Sequence, residues 1–365
     1  MAKVALLISR QPLQPSGRTP WVRAVIEAVR WVRKNGHTLV SSVGMPTWEL
    51  VTVSAALAHV PLQLVLPPLG DAGADTNAFI SGFGLDPAMT TVHVLESKDP
   101  KQPKADRLLR RDEVIVSEAD ILVPIAVKPH GNMAALLAAH RQRKTCVDRF
   151  RVTAKTRLAP VGYRIPADTI NPRLAELAGP FLFHWTRACH GPWPDESPFT
   201  YYRDIINSPS YPRSAFETLR RIVSHRRLIA SPWRMPGNIP TVSFSACPPA
   251  SMAPLMRWRA RYRRMSFEPY AIGIRRTVAE DVGIRPVCYY RGDNPLAGSD
   301  DIWLSQSAGR QTDWRHEHEY RHRGDLNLSA ISDTDLVLIT RTRSEATALS
   351  QVTGLRVYPF TTEDV

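Results

Sequence analysis

The 365-residue sequence has no two cysteines close enough to clamp a metal ion. Cys146, Cys189, Cys247 and Cys288 lie tens of residues apart, and without a CxxC pair neither a zinc site nor a disulfide framework is indicated. Cys189-His190 near His184, and the alternating His316 and His318, lack the further ligands a metal centre needs, so no metal is expected. No stretch reaches the roughly 18 consecutive apolar residues of a membrane span, which predicts no membrane partner. The run from Met1 to Ile8 is too short for a secretory leader and meets Arg10 instead of a small-residue cleavage site. It reads as a first β-strand of a protein kept in the cytoplasm. Internal repeats and low-complexity tracts are also missing.

Acid is in deficit. Lysine and arginine total 47 against 34 aspartates and glutamates, a net charge of +13. The surplus is spread along the chain, with 18 basic against 13 acidic residues up to position 150 and 29 against 21 beyond it. Such a balance favours an anionic partner, nucleotide or nucleic acid, while solubility alone is the bland explanation.

The length favours two domains over one core. In residues 1–152 strand and helix signals alternate. Lys3–Ser9 is a continuous apolar run of the kind that buried parallel strands show. Val22, Val25, Ile26, Val29 and Val32 then recur at helical spacing and stop at Asn35-Gly36. Strands are predicted at 38–42, 62–66, 91–95, 119–126 and 144–147, with helices at 47–59 and 131–140. Lys104–Val114 reads as a charged helix or loop. This order calls for a parallel sheet covered on both faces, with any ligand at the carboxyl ends of the strands. That places Ser9, Arg10, Ser42, Gly44 and Gly131 around one crevice. Pro160, Pro166, Pro172 and Pro180 mark 153–180 as an extended linker.

Ile8-Ser9-Arg10, then Leu39 to Gly44 leading into Ala55-Ala56-Leu57, then Ala119 to Val123, together resemble the DprA/Smf and LOG superfamily. The resemblance implies a Rossmann-like α/β nucleotide-binding domain over residues 1–152. Where the LOG enzymes carry a Pro-Gly-Gly-x-Gly-Thr-x-x-Glu loop, this chain has Lys128-Pro129-His130-Gly131-Asn132-Met133. One glycine and no glutamate remain, which argues against phosphoribohydrolase activity. A helix N-terminus there still favours an anion.

Residues 181–362 show many short strands with a few helices, an α+β pattern. His184-Trp185-Thr186 ends an apolar strand, a proline- and tyrosine-rich insertion runs from Pro192 to Pro212, and Phe216, Leu219, Ile222 and Val223 mark a helix. Thr241–Ser245, Tyr270–Ile274, Pro286–Tyr290 and Leu336–Thr340 read as strands, and Glu317 to Arg321 follows the third. The order resembles the DarT-type ADP-ribosyltransferases and the AbiGi-like phage-resistance proteins. An ADP-ribosyltransferase-like fold acting on NAD is implied, in a bacterial defence or toxin-like protein that modifies nucleic acid or another acceptor. Breaking the nicotinamide–ribose bond creates an oxocarbenium-like centre, for which a carboxylate is needed. Glu319 is the first candidate and Glu317 the second, and on one strand both would face the same side. For cofactor binding the resemblance assigns His184 to the ribose, Thr186 to fixing the same strand end, Tyr270 to the nicotinamide, and Arg187 or Arg321 to the pyrophosphate.

Two readings stay open beside this one. Arg315 to Arg321 has the composition of an ion-paired solvated surface. Arg257, Trp258, Arg259, Arg261 and Arg263, with Tyr262 and Arg264, are also the ordinary equipment for single-stranded DNA or RNA. Alternatively, Trp258 and Tyr262 form the buried face of a short basic helix. A non-enzymatic nucleic-acid-binding protein and a nucleotide N-glycosidase centred on the first domain are the alternatives. A homo-oligomer is compatible with all of them.

Overall fold

The computed structural model describes residues 1–67, 76–96, 103–154, 162–163, 165–308 and 314–363. The chain forms two compact units, Met1–Ala159 with His190–Pro212, and Pro160–Cys189 with Arg213–Val365. The proline- and tyrosine-rich insertion, expected with the second domain, thus folds with the first.

The first unit is built on a parallel sheet. Among the described residues its strands are β1 (Lys3–Ile8), β2 (Thr38–Ser41), β3 (Leu62–Leu66), β4 (Thr90–Val94), β5 (Ile121–Ala126) and β6 (Thr145–Cys146), in the order β4-β3-β2-β1-β5-β6. Five of the six residues of β1 are fully enclosed, because helices cover both faces. Helix α1 (Pro20–Lys34) starts on a proline and buries Val22, Val25, Val29 and Val32. Arg33 and Lys34 in its last turn complement the negative end of its dipole. Helices α2 (Pro46–Leu57), α3 (Thr76–Gly82), α4 (Lys104–Glu118) and α5 (Asn132–His140) follow. The chain adds β2, β3 and β4 on one side of β1, then crosses over to place β5 on the other, so β1 and β5 flank the switch point.

Helix α6 (Pro198–Asn207), hidden in the proline- and tyrosine-rich insertion, is capped by Ser197, whose Oγ accepts from the Thr200 amide at 3.1 Å. It packs on α2 and buries Tyr201, Tyr202 and Ile205. Two glycines permit this docking. A Cβ on Gly17 would meet the Ile206 carbonyl oxygen at 2.3 Å, and one on Gly84, at φ +61°, would meet the Phe199 ring at 2.5 Å.

The second unit centres on a seven-stranded mixed sheet. Its order is Arg285–Pro286, Glu319–Arg323, Thr241–Ser245, Phe181–Trp185, Ala271–Arg275, Leu336–Thr340 and Arg356–Pro359. All neighbours are antiparallel except the last two strands. Leu182, Val242, Phe244, Ile272, Ile274 and Leu338 pack on one face with Leu219 and Val223 of α7 (Ala215–His225). Phe183, Trp185, Ala271, Val337, Ile339 and Phe360 fill the other. Gly273 lies where these layers are tightest, since a Cβ there would sit 2.6 Å from the Phe183 ring and 2.7 Å from Val337.

Two predicted strands differ. Pro286–Tyr290 is divided: Arg285–Pro286 takes the sheet edge, where a proline lacking its N–H is tolerated, and Cys288–Tyr290 pairs with Ser305–Ser307 elsewhere. Trp314–Glu317 is a short 3-10 turn, and the strand begins only at Glu319.

Candidate functional site

The strands Phe181–Trp185 and Thr241–Ser245 share one paired position, Phe183 with Ser245. Beyond it the ladder is replaced by a side chain, His184, whose Nδ1 lies 2.9 Å from the Ser243 carbonyl oxygen. Both strands line a cavity of about 630 Å³, together with Arg187, Glu317 and Glu319. That volume falls in the ~300–1,000 Å³ typical of small-molecule sites.

Glu319 is held by three hydrogen bonds from two side chains. Its Oε1 accepts from Ser243 Oγ at 2.9 Å and from Arg321 Nε at 2.8 Å, and its Oε2 accepts from Arg321 Nη2 at 3.0 Å. Arg321 is 1% exposed, and its remaining donors reach the carbonyls of Trp303 and Ser305 and the side chain of Gln306. It therefore clamps Glu319 and cannot bind a pyrophosphate. Strand period explains the pairing, because residues two apart share a face.

Glu317 reaches the same cavity by another route than the expected strand. His318 adopts φ +43°, a left-handed conformation rare for a residue with a Cβ, and reverses the chain between the two glutamates. Ser245 Oγ donates to the Glu317 carbonyl at 2.6 Å, and the Ala246 amide donates to that of His318 at 3.0 Å, which fixes the turn. Burial, and then the charge of Glu319, push the Glu317 carboxyl up to about 7. Burial also takes the His184 imidazole down to about 4, so it is neutral at physiological pH. A carbonyl only accepts, so Nδ1 carries the hydrogen and Nε2 is left as an acceptor. The site thus offers a clamped carboxylate, a carboxyl able to exchange a proton near neutrality, and a neutral imidazole acceptor.

Thr186 and Tyr270 stand apart from this cavity. Thr186 is buried and its Oγ1 donates to the Ala215 carbonyl at 3.0 Å. Tyr270 is buried and its hydroxyl donates to Glu345 Oε1 at 3.0 Å. Glu345 in turn closes the capping box with Thr342 at the start of the helix Arg343–Thr353. Thr186 thus fixes its strand end from outside the cavity, and Tyr270 is committed to the fold, which removes it from nicotinamide contact.

The arginine-rich stretch is a hairpin, not a helix. Trp258 pairs with Met265 and Arg259 with Arg264, across a loop that closes at Arg263 with φ +50°. Arg259, Tyr262 and Arg264 line the cavity, whereas Arg257 and Arg261 are exposed outside its lining. Ser243, Trp233 and Arg234 also line it and are not among the residues expected from the sequence. Polar residues alternating at Thr241, Ser243 and Ser245 were the available signal for the first.

In the first unit, the expected nucleotide crevice is largely occupied by the chain itself. Ser42 is fully buried and donates to the Val43 carbonyl at 3.3 Å. The Gly44 amide donates to Glu49 Oε1 at 2.8 Å, and Tyr202 holds Glu49 Oε2 at 2.5 Å, so a carboxylate already sits at the start of α2. Fully buried Arg111 donates to the Val43 carbonyl at 2.9 Å and pairs with Asp112, which also accepts from Trp48. Ser9 Oγ accepts from the Lys128 amide at 2.9 Å and ties the ends of β1 and β5. Arg10 is exposed there, and Gly131 precedes α5 as its N-cap.

The first unit is a Rossmann-like α/β domain by its strand order and switch point. No helix among the described residues is long and apolar enough to cross a membrane. No family model and no curated protein matches the chain. Among solved structures it is similar to DNA processing protein A from Helicobacter pylori, described for its single-stranded DNA binding mode, with 16% identity and a TM-score of 0.29. That match covers 40% of this chain and 66% of the other. DNA processing protein A from Streptococcus pneumoniae is similar at 14% identity and a TM-score of 0.30, over 40% of this chain and 49% of that one. The match thus spans less than two thirds of either protein.

Proposed function

We propose that the second unit takes NAD as substrate and breaks its nicotinamide–ribose bond, passing the ADP-ribosyl group to water or to an acceptor. The observation that carries this reading is that Glu319, Glu317 and His184 share one cavity. Nicotinamide leaves with the electron pair of the glycosidic bond, and the ribose carbon becomes oxocarbenium-like. Glu319 faces that charge, held in place by Arg321 and Ser243. The incoming hydroxyl adds to the same carbon and gives its proton to Glu317, whose affinity for a proton lies near neutrality. Neutral His184 offers Nε2 to a ribose hydroxyl. A defence or toxin-like role would follow from such NAD consumption. The first unit would bind its nucleotide at the β1/β5 switch point, around Ser9, Arg10 and Gly131, since Glu49 occupies the start of α2.

The test is incubation of the full chain with NAD and measurement of released nicotinamide by mass spectrometry. Release by the parent protein, and a loss of about 100-fold or more in Glu319→Gln, is the expected result. Parent protein that releases none overturns the reading.

A second reading is favoured by the outer face of the hairpin. Arg257 and Arg261 are exposed there, and Trp233 nearby is 48% exposed. These groups suit a single-stranded nucleic acid, bound through phosphates and a stacked base, as acceptor or as sole ligand.

A further inference from the structure

We propose that Arg187, Arg234 and Arg264 form a diphosphate-binding subsite in the cavity of the second unit, selecting ligands with two adjacent phosphates over nucleosides and single phosphates. The inference rests on the NAD reading for its placement beside Glu319, but its test does not depend on catalysis.

The charge balance of the cavity is the first observation. Four arginines line it, Arg187, Arg234, Arg259 and Arg264, against Glu317 and Glu319. Glu319 is already neutralised from behind by Arg321, so the wall carries surplus positive charge. Among the described residues, neither Arg234 nor Arg264 is ion-paired with a carboxylate. The guanidiniums are also crowded: burial, and then the charges of Arg187 and Arg234, bring Arg264 down to about 10. Glu268 and Glu317 offset Arg187, but Arg234 and Arg264 have no carboxylate partner among the described residues, and a bound polyanion relieves their repulsion.

The second observation is how two of these groups are held. The Arg264 guanidinium carbon lies 3.9 Å from the centroid of the Trp233 ring, and that of Arg234 lies 4.3 Å from the centroid of Tyr262. The two rings meet edge to face with centroids 6.2 Å apart. A guanidinium held over a ring keeps N–H groups for other acceptors, although Arg234 also hydrogen-bonds the Tyr262 hydroxyl. Each arginine can then give two parallel hydrogen bonds to one phosphate. Arg234 itself adopts φ +62°, and Arg263 in the hairpin loop +50°. Backbone outliers of this kind concentrate at ligand sites, where surrounding structure holds them. Two further groups of the cavity wall, Trp185 Nε1 and Thr241 Oγ1, are buried without a hydrogen-bond partner.

The experiment is calorimetric titration of the full chain with inorganic phosphate, inorganic pyrophosphate, adenosine, AMP and ADP. Pyrophosphate and ADP should bind at least about 10-fold more tightly than phosphate and adenosine, a gap of one decade in Kd. Arg234→Gln, at an exposed position, should weaken ADP about 10-fold, and Arg264→Gln at least as much. Arg264→Lys should recover only part of the loss, since it keeps the charge without the planar fork. ADP that binds no better than adenosine overturns the subsite even if NAD is cleaved. Tight ADP binding without NAD cleavage leaves the subsite standing and removes the glycosidic reading. A single-stranded oligonucleotide that binds through Arg234 and Arg264 where ADP does not would also overturn it.

Discussion

Replacing Glu317 with glutamine should make the protein more stable above neutral pH and leave it unchanged in acid. The folded protein raises this carboxyl from 4.5 to about 7, by burial first and by Glu319 second. At about 1.4 kcal/mol per pKa unit, the full displacement corresponds to about 3 kcal/mol. Glu317 keeps part of its side chain in water, which lowers the expectation to about 1–2 kcal/mol. The sign follows from proton binding. Between pH 4.5 and 7 the folded state holds more protons than the unfolded state, so the parent loses stability as pH rises through that window. Below it both states are protonated at this position, and above it both are ionised. The glutamine variant has no such loss. Urea denaturation of both proteins at half-unit steps from pH 4 to 9 should show no difference at the acid end, a rise through pH 5–7 and a plateau beyond. A variant equal to or weaker than the parent at pH 8 refutes the electrostatic picture of the cavity. A stability gain that does not depend on pH would trace to packing instead.

Arg321→Ala should cost about 3–5 kcal/mol in urea unfolding, because it leaves Glu319 buried without its partner; a cost under 1 kcal/mol would mean the clamp is dispensable. Gly273→Ala should lower stability by about 1–3 kcal/mol, since the new methyl group has no room between Phe183 and Val337, and thermal unfolding would show it. Changing Arg257 and Arg261 together to glutamine should reduce the salt slope of single-stranded DNA binding by about 1.4, at about 0.7 per phosphate contact, read by fluorescence anisotropy between 50 and 200 mM salt. Parallel slopes would mark those side chains as solvation only.

The first unit was readable because its strands are enclosed on both faces and therefore appear as unbroken apolar runs, as in β1 and β5. Helix α6 was not, although Ser197-Pro198 is a sound helix start. Its destination depends on the backbone approaches at Gly17 and Gly84, which no periodicity encodes. In the second unit, ordered motifs brought His184, Arg187, Glu317 and Glu319 to one place. Thr186 and Tyr270 belonged to the same motifs but carry structural hydrogen bonds, a distinction that residue type alone does not make. Arg321 could have been placed beside Glu319 from strand alternation, the argument applied instead to Glu317, which a left-handed residue removes from the strand. Arg234 and Tyr262 come from loops 28 positions apart, and their meeting over Trp233 is a tertiary fact.

The excursion from His190 to Pro212 also sets an order of assembly during synthesis. The chain leaves and re-enters the second unit through one neck, where the Cys189 amide donates to the Arg213 carbonyl at 2.9 Å. A ribosome that has just made Ala159 has delivered every strand of the parallel sheet, yet the cover of α2 has not been translated. At about 5–20 residues per second, the interval until Pro212 lasts roughly 3–10 s. During that time the face of α2 that will receive Tyr201, Tyr202 and Ile205 stays open to solvent and to chaperones. A fragment ending near residue 152 would remain in this condition, sticky and unfinished, and the stretch up to Pro212 would have to be supplied for it to close.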